Sequence, residues 1–225
     1  MDPLVEFLVE DDDSDTSENS IRIRNRHMRD ATNIYDLPEL EFGGNFRMSK
    51  ECFGQILSEI GPKMKSTCLA TAISPELKFA AFLRFLASGS YQKCVANSCL
   101  SLMSQATMSR VVSECLDIFE EHFCGKWISV EMTSEEETVA KRDFYTKYHF
   151  PGVIGCVDCT HIKICSPKQD LKHLYYNRKG YYSINAMMIF DQNMVIRYVD
   201  ATHPGANHDA YVWRISAAND YFATA

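Results

Sequence analysis

The fold is decided by residues 151–214, which read PGVIGCVDCTHIKICSPKQDLKHLYYNRKGYYSINAMMIFDQNMVIRYVDATHPGANHDAYVWR. Three stretches of this segment, 153–164, 183–190 and 194–201, are rich in β-branched and aromatic residues, a composition that favours strands. The short turn Asp-Gln-Asn at 191–193 favours a hairpin between the last two. The sequence therefore predicts three consecutive strands.

A helix is expected directly after the third strand. His203, Pro204 and Gly205 interrupt the strand pattern, and Asn207 can cap a helix that begins near His208. The order of elements in this half of the chain is thus predicted to be strand, strand, strand, helix.

The first of these strands contains an aspartate in an apolar row. Ile154, Cys156, Asp158, Thr160 and Ile162 would share one face, since side chains alternate along a strand. An unpaired charge in a buried apolar row is costly, and a metal ion is a natural counter-charge. The pattern predicts that Asp158 is buried and belongs to a metal site.

Three blocks of this segment together indicate a family. They are PGVIGCVDCTHI at 151–162, YYNRKGYYSIN at 175–185 and PGANHDAYV at 204–212. In order and approximate spacing they resemble the nuclease domain of Harbinger-type DDE transposases and of the host proteins derived from them. The resemblance implies an α+β chain with an N-terminal helical helix-turn-helix region, followed by a truncated ribonuclease H-like DDE nuclease domain.

The resemblance also implies a chemistry, the metal-dependent hydrolysis of phosphodiester bonds in DNA. Two hard divalent ions about 4 Å apart activate water and stabilise the developing charge, and Mg²⁺ or Mn²⁺ would be held by carboxylates. By resemblance, Asp158 is the first catalytic acid and a metal ligand, and Asp209 is a further metal ligand. An acid in the first turn of a helix is also explained by the helix dipole alone.

The family pattern contains a further aspartate and a glutamate downstream, whereas this sequence ends at Ala225. The hypothesis is a truncated product, residues 151–225 being the N-terminal part of the nuclease domain, with weak or missing activity. The alternatives are a non-catalytic factor that binds DNA or protein and retains a remnant nuclease fold, or a fragment without a stable fold.

The first 45 residues are predicted to be a flexible leader. Residues 1–20 hold eight acidic residues and no Lys or Arg, whereas 21–29 hold four arginines that either contact phosphate or form a solvated linker. The net charge of −7 arises from this tail, because the rest of the chain carries 23 basic and 22 acidic residues. The net charge therefore does not argue against nucleic acid as a ligand.

Residues 46–130 are predicted to be helical. Ser49 and Ser74 are capping residues that open two helices, the second of which ends at Gly89. A short helix over 92–99 and a long helix capped by Ser104 form a helix-turn-helix pattern. An ordinary helical hairpin has the same pattern.

If this pattern docks on DNA, the first turns of the second helix make the contacts. Gln105 and Thr107 would approach base edges, and Arg110 would approach phosphate. The turn at 177–180 is cationic, and its Arg178 and Lys179 either hold the DNA backbone or form a solvated hairpin tip. Residues 131–150, rich in charge, are predicted to be a surface connector.

The cellular setting follows from cysteine usage and the termini. Nine cysteines, an odd number, suit reduced thiols, and neither a basic signal peptide nor an apolar run of about 18 residues is present. We expect a protein of the nucleus and cytoplasm without membrane contact. The resemblance adds DNA and a Myb-like DNA-binding protein as partners and leaves the oligomeric state open.

Overall fold

A computed structural model describes residues 13–65, 72–98 and 100–224 of the chain. The chain divides into two compact units, residues 1–122 and residues 123–225, which we call the helical unit and the sheet unit. Helices and one small antiparallel sheet make up the described residues, so the α+β class is confirmed. In the described part of the chain, no helix is long and apolar enough to cross a membrane.

The described residues of the helical unit form six α-helices and two short 3₁₀ turns at Ile34–Asp36 and Gly61–Lys63. The helices are α1 (Asp13–Asp30), α2 (Glu39–Phe46), α3 (Lys50–Ile60), α4 (Pro75–Ser88), α5 (Gln92–Ala96) and α6 (Gln105–Phe119).

Three helix starts predicted from capping serines are confirmed. Ser49, Ser74 and Ser104 each have extended backbone angles, and each side chain accepts a hydrogen bond from a backbone N–H in the first turn of α3, α4 or α6. Gly89 ends α4 with a φ of 59°, a left-handed conformation that glycine adopts without a steric penalty. Local chemistry therefore sets these boundaries.

The core of the helical unit is aromatic. Phe42, Phe46, Phe53 and Phe79 are at most 1% exposed, and the ring centroids of Phe53 and Phe79 lie 4.7 Å apart. Burying each such side chain contributes roughly 1.5–3 kcal/mol. α2, α3 and α4 are thus held together by one cluster of rings.

Within the leader predicted over 1–45, residues 13–45 are largely helical and residues 1–12 lie outside the described part, whereas the flexibility of the leader stays a prediction. α1 places His27 and Arg29 in its last turn, where cations interact favourably with the negative end of the helix dipole. Arg29 is only 6% exposed, so the basic stretch is not a fully solvated linker.

The short helix predicted over 92–99 ends earlier, at Ala96, and Cys99 lies outside the described residues. Leu102 has a φ of 41°, which ends regular structure before Ser104 caps α6. The connection 97–104 is longer than the 3–4-residue turn of a helix-turn-helix motif. Two helices in this order are confirmed, whereas the motif itself stays a prediction.

The described residues of the sheet unit form three strands, five α-helices and a 3₁₀ turn at Gln169–Leu171. The strands and α-helices are α7 (Gly125–Trp127), α8 (Ser134–Tyr148), β1 (Cys156–Lys163), α9 (Lys172–Tyr175), β2 (Ser183–Phe190), β3 (Ile196–Pro204), α10 (Asp209–Arg214) and α11 (Ala217–Thr224).

The segment 131–150, predicted to be a surface connector, is mostly the helix α8, and most of its residues are exposed. A capping box opens the helix: the side chain of Thr133 accepts from the Glu136 N–H, and the Glu136 carboxylate accepts from the Thr133 N–H. Ala140 and Phe144, four residues apart, are buried. This narrow apolar stripe suffices to fix the helix although its other faces are charged.

The sheet has the order β1-β2-β3, with both pairs antiparallel. The prediction of 183–190 as a strand is confirmed residue for residue, whereas β1 is shorter than 153–164. β3 extends beyond 201 to Pro204, because a bulge between the pairs at Asn185 and Met187 lets the strand continue. The predicted strand end was therefore three residues early.

Candidate functional site

Asp158 lies in β1, but its side chain is exposed rather than buried. One carboxylate oxygen, Oδ1, accepts a hydrogen bond of 2.8 Å from the Cys159 N–H. On the same face of β1, Ile162 is 49% exposed. The apolar row predicted from the sequence exists, but it faces solvent, so its expected burial is wrong. Strand periodicity identifies the members of a face and not the face that is covered.

Asp209 is the first residue of α10, and Asn185 fixes its position. The buried Asn185 side chain donates from Nδ2 to the Asp209 carboxylate at 2.9 Å and to the Asn207 carbonyl at 3.0 Å. The helix was predicted to begin near His208 with Asn207 as its cap. His208 is instead the capping position and caps without a side-chain bond. Asn207 contributes its carbonyl.

Both aspartates affect the pKa of the Cys159 thiol. Burial, the negative charges of Asp209 and Asp158, and a hydrogen bond with Asp209 together raise the pKa of Cys159 to about 11. The thiol is therefore protonated at neutral pH. Both carboxylates lie within electrostatic range of this one sulfur atom.

The two predicted metal ligands nevertheless belong to opposite faces of the sheet. Asp158 pairs with Met188, whereas Cys159 pairs with Met187, and directly opposed residues share a face. Because Cys159 and Asn185 contact Asp209, that aspartate lies on the face opposite Asp158. The two carboxylates thus approach β1 from opposite sides.

These residues do not fit a two-ion centre. Among residues 13–65, 72–98 and 100–224, no group of three or more His, Cys, Asp or Glu side chains is arranged to hold a metal ion. Next to the Asp209 carboxylate lies Asn185, whose buried Oδ1 has no hydrogen-bond partner in the described part of the chain. One carboxylate and one amide oxygen are fewer ligands than a hard divalent ion takes.

A small cleft of about 60 Å³ borders Asp209. Arg178 lines it, so the structure brings this predicted DNA contact to the same cleft as Asp209, whereas Lys179 does not line it. Asn177 shapes the turn, because its side-chain oxygen accepts from the N–H groups of Lys179 and Tyr181. Both cationic side chains are exposed.

A polar network beneath this cleft was missed by the sequence interpretation. Ser183 Oγ accepts from Asn177 Nδ2 at 2.7 Å and lies 3.1 Å from His161 Nδ1. A Cβ on Gly205 would lie 2.6 Å from the Ser183 carbonyl oxygen, so only glycine fits there. Asn and Ser inside an otherwise apolar predicted strand were the available signal, since buried polar groups require partners.

The helical unit contains the second candidate region, a cleft of about 1010 Å³. Thr107 and Arg110 line it, and Arg110 Nη2 lies 3.3 Å from Thr107 Oγ1. Gln105 does not line the cleft, and its Nε2 donates to Gln92 at 3.1 Å. Two of the three predicted helix contacts therefore share one cleft.

Comparison with known proteins supports the family resemblance. Residues 157–225 match a family described as DDE superfamily endonuclease. "Putative nuclease HARBI1" of Bos taurus is 34% identical over 159 residues, which cover 70% of this chain and 44% of that protein. The Rattus norvegicus protein of that name is 34% identical over 161 residues, 71% of this chain and 45% of its own length. The Homo sapiens protein is 33% identical over 159 residues, again 70% and 44%.

The chain spans less than half the length of these relatives. No solved structure matches it. The resemblance to the Harbinger transposase-derived nucleases that the sequence blocks indicated is confirmed.

Proposed function

We propose that this chain is a DNA nuclease derived from a Harbinger-type transposase, because residues 157–225 match the DDE superfamily endonucleases and most of the chain aligns with relatives named as nucleases. Its reaction class is hydrolysis of phosphodiester bonds. The proposal takes the three antiparallel strands followed by α10 as the opening of a ribonuclease H-like fold, and α5 with α6 as a helix-turn-helix.

The proposal assigns the nuclease site to the sheet unit. Asp158 and Asp209 are its proposed carboxylates, a divalent cation such as Mg²⁺ or Mn²⁺ is the proposed cofactor, and Arg178 is the proposed contact to the DNA backbone. When bound, such an ion would activate water and stabilise negative charge on phosphate oxygens. Around Asp209 two side chains of the chain take part: Asn185 orients the Asp209 carboxylate through a hydrogen bond, and Arg178 adds positive charge to the cleft that Asp209 lines.

We further propose that cleavage by this chain alone is weak or missing. The observation that carries this proposal is the placement of Asp158 and Asp209 on opposite faces of the sheet. A two-ion mechanism requires carboxylates that converge on ions about 4 Å apart. Two carboxylates on opposite faces of a sheet do not converge in this way.

The test is incubation of the purified chain with supercoiled plasmid DNA and Mg²⁺ or Mn²⁺. We expect no sustained cleavage above that of an Asp158→Asn variant. Asp170→Asn, a change at another exposed aspartate of the sheet unit, is the matched control. Sustained cleavage that Asp158→Asn abolishes and Asp170→Asn preserves would refute the proposed impairment and establish the nuclease.

A second candidate function is a non-catalytic factor that binds DNA or protein. The observation that favours it is the large cleft of the helical unit, which includes Thr107 and Arg110. DNA binding that Asp158→Asn leaves unchanged, in the absence of cleavage, would support this candidate. A Myb-like DNA-binding partner and residence in the nucleus and cytoplasm are parts of the proposal that pull-down and imaging of the tagged chain would test.

A further inference from the structure

α1 presents one face to the large cleft of the helical unit. Arg22, Ile23, Arg26 and Arg29 line it, and their spacing of three to four residues places them on one side of a helix. Arg24, on the same helix, is exposed and does not line the cleft. The arginines of this stretch are therefore sorted into one group inside the cleft and one residue outside it.

The described lining is strongly cationic. Six lining side chains are basic and two are acidic, although the chain as a whole carries a charge of −7. The basic residues are Arg22, Arg26, Arg29, Lys65, Lys78 and Arg110, and the acidic ones are Glu114 and Asp117.

One of the two acidic residues is already engaged. Glu114 accepts from Lys78 Nζ at 2.9 Å and from the backbone N–H of Lys65. Its charge is thus largely neutralised by Lys78, which leaves Asp117 as the other acidic residue of the described lining.

Arg29 supplies a second, independent feature. The residue is 6% exposed, and its Nε donates to Asp30 Oδ1 at 2.8 Å. Its Nη2 lies 2.7 Å from the same oxygen, so this edge of the guanidinium is ion-paired with Asp30. A buried guanidinium at a cleft can offer its other edge to phosphate, whose oxygens match its planar fork.

The N-terminal end of α6 adds to the positive electrostatic potential of the cleft. Ser104 and Thr107, at the N-terminal end of this 15-residue helix, line the cleft. Helix N-termini attract anions through their dipole and their backbone N–H groups. At about 1010 Å³ the cleft is at the upper end of the size range of ligand sites.

We propose that this cleft binds the phosphodiester backbone of a nucleic acid, with Arg26, Arg29 and Arg110 as the principal contacts. The choice of nucleic acid among phosphate-bearing ligands rests on the proposed function. Thr107 then contacts the backbone rather than a base edge, and Arg110 contacts phosphate, as the sequence predicts. The affinity is largely independent of sequence and falls with salt, because each neutralised phosphate releases counterions.

The test is fluorescence anisotropy of a labelled DNA duplex and of its single strand, titrated with the full chain in EDTA at several salt concentrations. Arg26→Glu, inside the cleft, is compared with Arg24→Glu, two residues away and outside it, which makes the same change in net charge. We expect Arg26→Glu to weaken binding at least about tenfold more than Arg24→Glu and to lower the slope of log K against log salt by about one.

Equal weakening by the two variants, or a wild-type chain that binds neither DNA, would overturn the proposal. Far-ultraviolet circular dichroism checks that each variant is folded. If Arg26→Glu is unfolded, Arg110→Gln takes its place with the same expectation. Asp170→Asn, a change at an exposed aspartate that does not line the cleft, is expected to bind as the wild type does. Equal DNA binding by Arg26→Glu and Arg24→Glu would sink this inference alone. Sustained Asp158-dependent cleavage together with Arg26-dependent binding would refute the proposed impairment and leave this inference intact.

Discussion

The helical unit and the sheet unit are stabilised by different kinds of interior. In the helical unit Phe42, Phe53 and Phe79 are fully buried and pack ring against ring. In the sheet unit β2 is largely buried, but its buried face includes Ser183 and Asn185, whereas β1 is largely exposed and β3 is partly exposed. The helical unit is thus held by apolar packing, whereas a polar network supports the loop before α10. The residues that match the endonuclease family, 157–225, all belong to the sheet unit.

Two spectroscopic probes separate the units in solution. Both tryptophans, Trp127 and Trp213, belong to the sheet unit, so their fluorescence reports on that unit. Far-ultraviolet circular dichroism reports chiefly on helices, most of which lie in the helical unit. Each substitution below is followed by both signals during denaturant unfolding.

The largest effect is expected from Phe53→Ala. It empties the centre of the ring cluster, and we expect a loss of about 4 kcal/mol in the free energy of unfolding, seen in the circular dichroism signal. Leu40→Ala is the control, because Leu40 is 91% exposed and its loss should cost less than about 0.5 kcal/mol. Similar losses in both variants would contradict an aromatic core.

Lys78→Met tests the buried ion pair of the helical unit. The side chains of Lys78 and Glu114 are 11% and 14% exposed, so removing the ammonium leaves a buried carboxylate without its partner. We expect a loss of about 3 kcal/mol. The double variant Lys78→Met with Glu114→Leu should recover much of it. No recovery would mean that the cost arises from packing rather than charge.

Gly205→Ala tests the sheet unit. The added Cβ would lie 2.6 Å from the Ser183 carbonyl oxygen and 2.9 Å from the Tyr175 carbonyl oxygen. We therefore expect a loss of about 2 kcal/mol in the free energy of unfolding, measured by tryptophan fluorescence. Gly44→Ala is the control in α2, where no atom lies within 4 Å, and it should stabilise the chain by about 0.5 kcal/mol. A neutral Gly205→Ala would show that the loop tolerates a shift.

The smallest effect concerns pH. Burial alone would raise the pKa of Asp200, but hydrogen bonds from Thr202 and His203 outweigh it and lower the pKa. A lowered pKa means that this contribution to stability is present above the pKa of the unfolded state, about 3.9, and is lost as pH falls through the folded value. Below about pH 4 the wild type should therefore lose stability more steeply than Asp200→Asn. Parallel curves would contradict the shift.

Sequence reasoning succeeded where structure is local. Ser49 and Ser74 predicted the starts of their helices correctly, because a capping interaction depends only on neighbouring residues. The strand at 183–190 was predicted from its composition alone. Sequence reasoning failed where tertiary contacts decide. Phe144 anchors a helix whose composition indicated a connector, and the exposure of Asp158 depends on the face that α10 covers. Parity along β1 could not supply that information.

The raised pKa of Cys159 has a consequence for covalent labelling. An alkylating reagent such as iodoacetamide reacts with the thiolate form of cysteine. At neutral pH almost all Cys159 side chains are protonated, so this residue should react slowly. Cys156, three residues earlier in β1 and exposed, is open to the reagent. Mass spectrometry of a briefly treated sample should therefore locate the adduct in this strand at Cys156, and loss of the Asp209 charge should make Cys159 more reactive.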